Sequence, residues 1–160
     1  MSIHPHLLII TGDHGATDST KWSGGYTEDD LALHQTMVDA FRALNRFRIE
    51  VCTEHDELLA RLLRDPRPDL VVNFCDTGFG NVAEQELHVP ALLDIVGLPY
   101  TGATPRAMVL AYDKSIVHGI ATSLGLAVPR QSVVGPGAEP DDVIFPAFVK
   151  PATGDGSVGI

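Results

Sequence analysis

The run Leu7-Leu8-Ile9-Ile10 is apolar without interruption and ends at Thr11-Gly12. Four consecutive apolar residues before a glycine turn are typical of a buried strand that is covered on both faces of a parallel sheet. Similar stretches follow at 47–52 and 70–74, and a shorter one lies at 98–102. Helix-forming segments separate the four stretches, so the order β-α-β-α-β-α-β predicts an α/β fold with a mostly parallel sheet.

The connecting segments carry helix boundary signals. Thr27 precedes three acidic residues, which is the pattern of an N-cap followed by negative charge at the positive end of the helix dipole. Further helices are predicted over 55–64 and up to about residue 96, where Gly97 provides the C-cap. The predicted apolar face of the first helix consists of Leu33, Met37, Ala40 and Leu44.

The pattern changes after the fourth stretch. Pro105 suits the first position of a helix, and Asp113 is the predicted N-cap of another helix that begins at Lys114. Beyond these helices we predict two antiparallel strands, at 129–134 and 145–150. A change of this kind predicts that a second domain begins shortly after the fourth strand.

Composition and charge exclude several classes of function. The chain has 160 residues and a formal net charge of −10, whereas a nucleic-acid or anionic-membrane surface needs a basic patch. No apolar run approaches the ~20 residues that span a bilayer, and the first residues lack signal-peptide features, so we expect a cytoplasmic protein. Cys52 and Cys75 are predicted to be reduced core thiols, and the seven histidines show no zinc-site spacing.

The end of the sequence combines a lysine with a glycine-rich loop. Lys150 closes an apolar stretch, and the loop at 154–159 follows within a few residues. Glycines allow backbone N–H groups to converge on an anion, and a lysine adds a positive charge, so the pair indicates phosphate binding. Lys114 stands at a helix start, where a cation is unfavourable for the dipole, which favours a binding role. A hairpin turn and solvated surface lysines are the structural alternatives.

Five segments occur in a fixed order and carry a family resemblance. Together they resemble the D-alanine–D-alanine ligases and their ATP-grasp relatives, most clearly from about residue 70 to residue 160. The segments are Gly97-Leu98-Pro99-Tyr100-Thr101-Gly102, Asp113-Lys114, Gly125-Leu126-Ala127-Val128-Pro129, Phe148-Val149-Lys150-Pro151 and Gly156-Ser157-Val158-Gly159.

The resemblance implies both a domain layout and an activity. Residues 1–103 would form a Rossmann-like pre-ATP-grasp α/β domain, and residues 104–160 would be the incomplete start of an α+β ATP-grasp domain. The parent enzyme would be an ATP-dependent carboxylate–amine ligase, in which a carboxylate is phosphorylated and an amine then displaces phosphate from the acyl phosphate. By resemblance, the ATP phosphates would be bound by Lys114, Lys150 and a closing loop around Gly156, Ser157 and Gly159.

The sequence also departs from the family pattern. Gly156 stands where the strict ligases carry the first of two loop serines. The family glutamate that contacts the substrate ammonium has its nearest candidate in Glu28, although a carboxylate that only stabilises the helix start is the alternative. Asp76 replaces part of a His-Gly segment after the third strand and is a second candidate for substrate binding.

The resemblance implies ATP and Mg²⁺ as cofactors, an amino acid or peptide as substrate, and a homodimer. The Mg²⁺ ligands are expected beyond residue 160, so the chain is interpreted as the N-terminal portion of a longer ligase, inactive alone. A non-catalytic α/β binding or structural module is the main alternative. A doubly wound nucleotide- or sugar-binding enzyme is a weaker one, because the turn after Ile10 lacks the Gly-x-Gly-x-x-Gly pattern of dinucleotide folds.

Overall fold

The computed structural model of the protein describes residues 4–140 and 143–154. The chain divides into two compact units, Met1–Pro105 and Arg106–Ile160. The assignment of the first unit as a pre-ATP-grasp domain and of the second as the start of an ATP-grasp domain stays a prediction. Nowhere in the described ranges is a helix both long enough and apolar enough to cross a membrane.

The first unit is built on a three-stranded parallel sheet. The strands are β1 (His6–Ile10), β2 (Arg48–Cys52) and β3 (Leu70–Asn73), in the order β2-β1-β3. Every residue of the central strand β1 is buried, as expected for an apolar run that is covered on both faces. The predicted parallel α/β architecture is therefore confirmed for this unit.

The fourth predicted strand, at 98–102, is reduced to a single bridge between Tyr100 and Val71. Gly97 before it and Gly102 after it adopt φ values of 69° and 101°, which lie outside the extended region. The extended backbone between the two glycines is too short for a regular strand. The predicted position of the fourth strand is therefore confirmed, but its predicted length is wrong.

The described residues form five α-helices, and their predicted start and stop residues are largely confirmed. Thr27 is the N-cap of the first helix, Gly97 is the left-handed C-cap of the third, and Asp113 caps the fifth. Short 3₁₀ turns lie at His55–Glu57, Phe79–Asn81 and Ala83–Gln85. The helices are α1 (Glu28–Ala43), α2 (Leu58–Leu63), α3 (His88–Val96), α4 (Pro105–Tyr112) and α5 (Lys114–Ser123).

Helix α1 begins with a capping box. The Thr27 hydroxyl accepts a hydrogen bond from the Asp30 N–H at 3.2 Å, and the Asp30 carboxylate accepts one from the Thr27 N–H at 2.9 Å. This bond from Thr27, together with Lys21, lowers the pKa of Asp30 to about 2. Because Asp30 is ionised at all ordinary pH values, the start of α1 is fixed at this position.

The buried face of α1 differs from the predicted one. Leu33 and Leu44 are exposed, at 60% and 55%, whereas Val38 is buried and Phe41 packs with it against the sheet. His34 lies on the same stripe as Val38 and Phe41 and contacts the rings of the loop that follows β1. The stripe that faces the sheet and the loop thus includes a histidine, which apolar periodicity alone does not reveal.

The core lies on both faces of the sheet. Alternate residues of β1 point to opposite sides, so Leu7 and Ile9 pack with Val38 of α1, while Leu8 and Ile10 face the other side. That second side carries the larger cluster, which includes Leu58, Leu62, Val71, Val89 and Leu93.

In the second unit, α5 begins as predicted, with the Asp113 carboxylate accepting hydrogen bonds from the N–H groups of Ser115 and Ile116. The strands predicted at 129–134 and 145–150 are absent from the described residues of this unit. Pro129 and Pro146 cannot donate to a strand ladder, and an isolated hairpin is marginal in water. The apolar residues Phe145, Phe148 and Val149 are exposed, at 81%, 71% and 88%, so no packed surface holds these stretches in a sheet.

Neighbouring leucines in α2 allow a matched test of the core. Leu62 is fully buried and Leu63 is 57% exposed, although both belong to the predicted helix. We expect Leu62→Ala to lower the free energy of unfolding by about 2–5 kcal/mol, because it leaves a cavity in the core. Leu63→Ala is expected to change it by no more than about 0.5 kcal/mol. Urea unfolding followed by circular dichroism measures both, and equal losses would contradict this core assignment.

Candidate functional site

The carboxyl ends of the three parallel strands meet at one edge of the sheet. The loops that leave this edge contain residues 11–27 after β1, 53–57 after β2 and 74–82 after β3. Ligands of open α/β sheets bind characteristically at the carboxyl edge. The polar side chains of these loops are therefore the candidate functional site of the first unit.

His55 ties the three loops together. Its Nδ1 atom accepts a hydrogen bond from the Gly80 N–H at 2.7 Å, so Nε2 carries the proton and donates to the Thr11 carbonyl oxygen at 2.8 Å. The ring is buried and stacks on Phe79, with 5.3 Å between centroids. The backbone N–H of His55 donates to the Asp13 carboxylate at 2.9 Å. His55 thus has a structural role, because its backbone N–H and both ring nitrogens form hydrogen bonds within the protein.

Asn81 holds the loop that follows β1. Its side-chain oxygen accepts from the Asp13 N–H at 2.9 Å and from the Thr77 hydroxyl at 2.8 Å. Its amide nitrogen donates to the carbonyl oxygens of Asp13 and Ala16. Asn81 is buried and has a φ of 59°, a left-handed conformation that asparagine tolerates better than most residues. The shape of the β1 loop therefore depends on a side chain from the β3 loop.

Three rings form a compact group at this edge, which we call the ring cluster: His14, Tyr26 and His34. The ring centroids are 5.0–5.2 Å apart, and His14 Nε2 lies 2.9 Å from His34 Nδ1. The Lys21 ammonium stands 4.7 Å from the centre of the Tyr26 ring and forms an ion pair with Asp30 at 3.1 Å. The cluster joins the β1 loop to the first turns of α1.

The ring cluster has perturbed proton affinities. Burial lowers the pKa of His14, and the neighbouring His34 lowers it further, while Asp13 opposes the shift. Burial also lowers the pKa of His34, against the opposing charges of Asp76 and Asp30. Burial raises the pKa of Tyr26 to about 12. At neutral pH the cluster therefore consists of uncharged rings beside carboxylates.

Asp18 is a buried carboxylate that sequence analysis did not single out. Its Oδ1 atom accepts hydrogen bonds from the N–H and hydroxyl groups of Thr20, at 2.9 and 2.6 Å. Its Oδ2 atom is buried without a partner in the structure, and its charge acts on Tyr26. An unpaired buried oxygen of this kind is unfavourable unless a donor reaches it. In the sequence, Asp18 lies among polar loop residues and cannot be distinguished from an ordinary turn residue.

The two predicted substrate-binding carboxylates are placed differently. Asp76 is exposed in the loop after β3, and its charge acts on both Tyr26 and His34, so it belongs to the carboxyl-edge site. Glu28 is the exposed first residue of α1. Its predicted contact with a substrate stays a prediction.

In the second unit, Lys114 contacts the segment that leads to the glycine-rich loop. Its ammonium donates to the Gly154 carbonyl oxygen, and its backbone N–H donates to Ala152 at 2.9 Å. Lys150 is exposed. The remaining residues of the predicted phosphate-binding set, Gly156, Ser157 and Gly159, lie outside the described residues, and the role of the set stays a prediction.

Both cysteines are free and buried, as predicted. Burial raises the pKa of the Cys75 thiol to about 11 and also raises the pKa of Cys52. Thiols of this kind are poor nucleophiles at neutral pH. Among the residues that the structure describes, no three histidine, cysteine or acidic side chains are grouped so that they could hold a metal ion.

Sequence comparison finds relatives for most of the chain. A D-alanine–D-alanine ligase of Acidiphilium cryptum is 30% identical over 144 residues, which cover 86% of the chain and 46% of that ligase. An uncharacterized protein, y4sG, of Sinorhizobium fredii is 35% identical over 117 residues, covering 69% of the chain and 34% of the relative. A putative D-alanine–D-lactate ligase of Streptomyces coelicolor is 37% identical over 71 residues, covering 43% of the chain and 20% of that protein.

The chain is related to the D-alanine–D-alanine ligases. Neither a protein-family model nor a solved structure gives a significant match. The chain spans less than half the length of these curated ligase relatives. The relationship confirms the predicted resemblance to D-alanine–D-alanine ligases and is consistent with an N-terminal ligase domain, whereas the ATP-grasp loop stays a prediction.

The histidines of the ring cluster make stability depend on pH. A histidine whose pKa is lower in the folded state than the ordinary ~6.5 stabilises the fold above pH ~6.5, and this stability is lost as the pH falls through the folded pKa. We therefore expect the free energy of unfolding to decrease between about pH 7 and pH 5. His34→Asn removes one of the titrating groups and should reduce this pH dependence.

The measurement is urea unfolding at a series of pH values. His88→Asn is the matched control, because His88 is exposed on α3 and is not a member of the ring cluster. An unchanged pH dependence in His34→Asn would show that the ring cluster does not titrate as described.

Proposed function

We propose that the chain is the N-terminal part of an ATP-dependent carboxylate–amine ligase that makes a peptide-like bond through an acyl phosphate. The relationship to D-alanine–D-alanine ligases over 86% of the chain carries this proposal. The names of several relatives support a ligase-like protein. The use of ATP, the acyl phosphate intermediate and the identity of the substrates are proposals that go beyond these names.

In this proposal the carboxyl-edge site of the first unit binds an amino-acid substrate. The unpaired Oδ2 atom of Asp18 is a buried acceptor, and Asp76 adds a second carboxylate beside the rings. A substrate ammonium would satisfy the buried oxygen with a charge-assisted hydrogen bond. Glu28 remains a further candidate for the same ammonium group.

The second unit contributes lysines to phosphate binding. The Lys114 ammonium already donates to the carbonyl oxygen of Gly154, the first residue of the glycine-rich loop, and Lys150 is exposed four residues before Gly154. Ammonium groups beside a glycine-rich backbone fit the phosphates of ATP. No Mg²⁺ ligand is assigned to a described residue, and Mg²⁺ enters the proposal only as the usual counter-ion of ATP.

The proposed reaction has two steps. A substrate carboxylate oxygen attacks the terminal phosphorus of ATP, and ADP leaves. The nitrogen of a neutral amine then attacks the acyl carbon. Phosphate leaves with the electrons of the C–O bond and takes up the proton that the nitrogen loses. Lys114 and Lys150 would neutralise charge on the transferring phosphoryl group, and the loop with Gly156, Ser157 and Gly159 would exclude water.

Several properties follow from the proposal as expectations. The substrate is an amino acid or a short peptide, and the names of the relatives suggest D-alanine as the first molecule to test. A homodimer in the cytoplasm is proposed on the resemblance stated above. The acidic charge of −10 continues to argue against nucleic acid and anionic membranes as partners.

The test measures phosphate release by the natural full-length gene product with Mg-ATP and D-alanine, followed by a panel of other amino acids. Lys114→Met and Lys150→Met should each raise the KM for ATP about 10–100-fold, the expected cost of losing a hydrogen bond to a charged phosphate. Arg46→Met is the control, because Arg46 is exposed beyond the end of α1. A wild-type protein that binds no Mg-ATP and releases no phosphate would favour the non-catalytic binding module instead.

A further inference from the structure

His14 and His34 form a hydrogen-bonded pair of imidazole rings. Neither ring has a role in the ammonium binding or the phosphate binding of the proposed function. His14 lies in the loop after β1, and His34 lies on the buried stripe of α1. The rings are inclined by 24°, with 5.1 Å between centroids, and His14 Nε2 lies 2.9 Å from His34 Nδ1. The pair is at the same sheet edge as Asp76 and Tyr26.

The surrounding hydrogen bonds determine where the protons of the pair lie. The Thr11 hydroxyl donates its only proton to the Gly12 carbonyl oxygen, at 3.0 Å. Its oxygen is 3.2 Å from His14 Nε2, so the imidazole is the donor in that contact. The same N–H is shared with His34 Nδ1, in a three-centre arrangement. His14 therefore carries its proton on Nε2, and His34 accepts on Nδ1.

The other ring nitrogen of His14, Nδ1, is consequently a basic atom without a proton. It has no hydrogen-bond partner within residues 4–140 and 143–154. The buried side-chain atoms without a partner in these ranges are His6 Nδ1 and Asp18 Oδ2. His14 Nδ1 is not one of these buried atoms, so its lone pair is open to solvent or to a ligand.

The charges around the pair suit a group that accepts a proton during a reaction. Burial keeps the pKa of both histidines low, so both rings are uncharged at neutral pH. The carboxylate of Asp13 opposes the shift of the His14 pKa. Asp76 and Asp30 oppose the shift of the His34 pKa, which Lys21 reinforces. Tyr26, which packs on both rings, holds its own proton, because burial raises its pKa to about 12. An accepted proton would be stabilised by Asp13 beside His14.

We propose that His14 Nδ1 accepts the proton of the amine substrate in the ligation step, and that His34 is a positioning residue that orients the His14 ring. This inference rests on the proposed ligase function. An ammonium N–H bond breaks and its proton forms a bond to Nδ1. The freed nitrogen lone pair attacks the acyl carbon, and phosphate departs with the C–O electrons. The departing phosphate takes up the second proton, which the new amide nitrogen loses. The resulting imidazolium then returns its proton to solvent.

Three substitutions separate proton acceptance from ring positioning. His14→Gln retains an amide N–H near the position of Nε2 but has no basic lone pair. His34→Leu removes the acceptor for the His14 N–H, and His34→Asn restores an acceptor near the position of Nδ1. The assay is phosphate release by the natural full-length gene product with Mg-ATP and D-alanine, or the best amino acid of the panel, across about pH 5–9. His88→Gln is the exposed control on α3.

We expect His14→Gln to lower kcat/KM for the amine by about 10²–10⁴-fold and to abolish the acid limb of the pH profile. Its KM for ATP should stay unchanged, which shows that the variant is folded. His34→Leu should shift the acid limb and His34→Asn should restore it. A wild-type rate and acid limb in His14→Gln would overturn this inference alone. Absence of phosphate release by the wild type with every amino acid would overturn the proposed function and this inference with it.

Discussion

The buried imidazole of His55 fixes the geometry on which the site depends. It accepts from the Gly80 N–H and donates to the Thr11 carbonyl oxygen, so one side chain satisfies backbone groups from two different loops. Buried backbone groups without partners are strongly disfavoured, and the two loops therefore have little freedom to separate. Asn81 repeats this arrangement from the β3 loop toward Asp13 and Ala16. The shape of the site is therefore maintained by hydrogen bonds between the loops, at the edge of a sheet whose core is apolar.

This arrangement gives the carboxyl edge an unusual balance of charge. The carboxylates of Asp13, Asp18 and Asp76 surround rings that burial keeps neutral. A cationic ligand would be attracted to this edge, whereas an anionic one would be repelled. The lysines proposed for ATP lie in the second unit, at Lys114 and Lys150. In the proposed function, the amino-acid substrate and the ATP phosphates are therefore bound by residues of different units.

Sequence patterns predicted the parallel sheet and most helix boundaries, because apolar runs, caps and glycine stops act locally. Thr27, Gly97 and Asp113 each have the predicted capping role. The side of α1 that is buried was mispredicted, since the contact of His34 with His14 is long-range and leaves no periodic signal. Asp18 and Asn81 were missed for the same reason: their importance comes from burial among loops. The strands predicted at 129–134 and 145–150 are absent from the described residues, because strand propensity alone does not provide a neighbouring strand for pairing.

His34, Val38 and Phe41 lie along one stripe of α1, which contributes both to the core and to the ring cluster. Val38 and Phe41 fill the core against the sheet, and His34, one turn earlier, reaches the ring cluster. A change of side-chain volume at Val38 or Phe41 therefore acts on the same helix that positions the imidazole. Sequence drift in related proteins should therefore be correlated along this stripe and less constrained at Leu33 and Leu44, which are exposed.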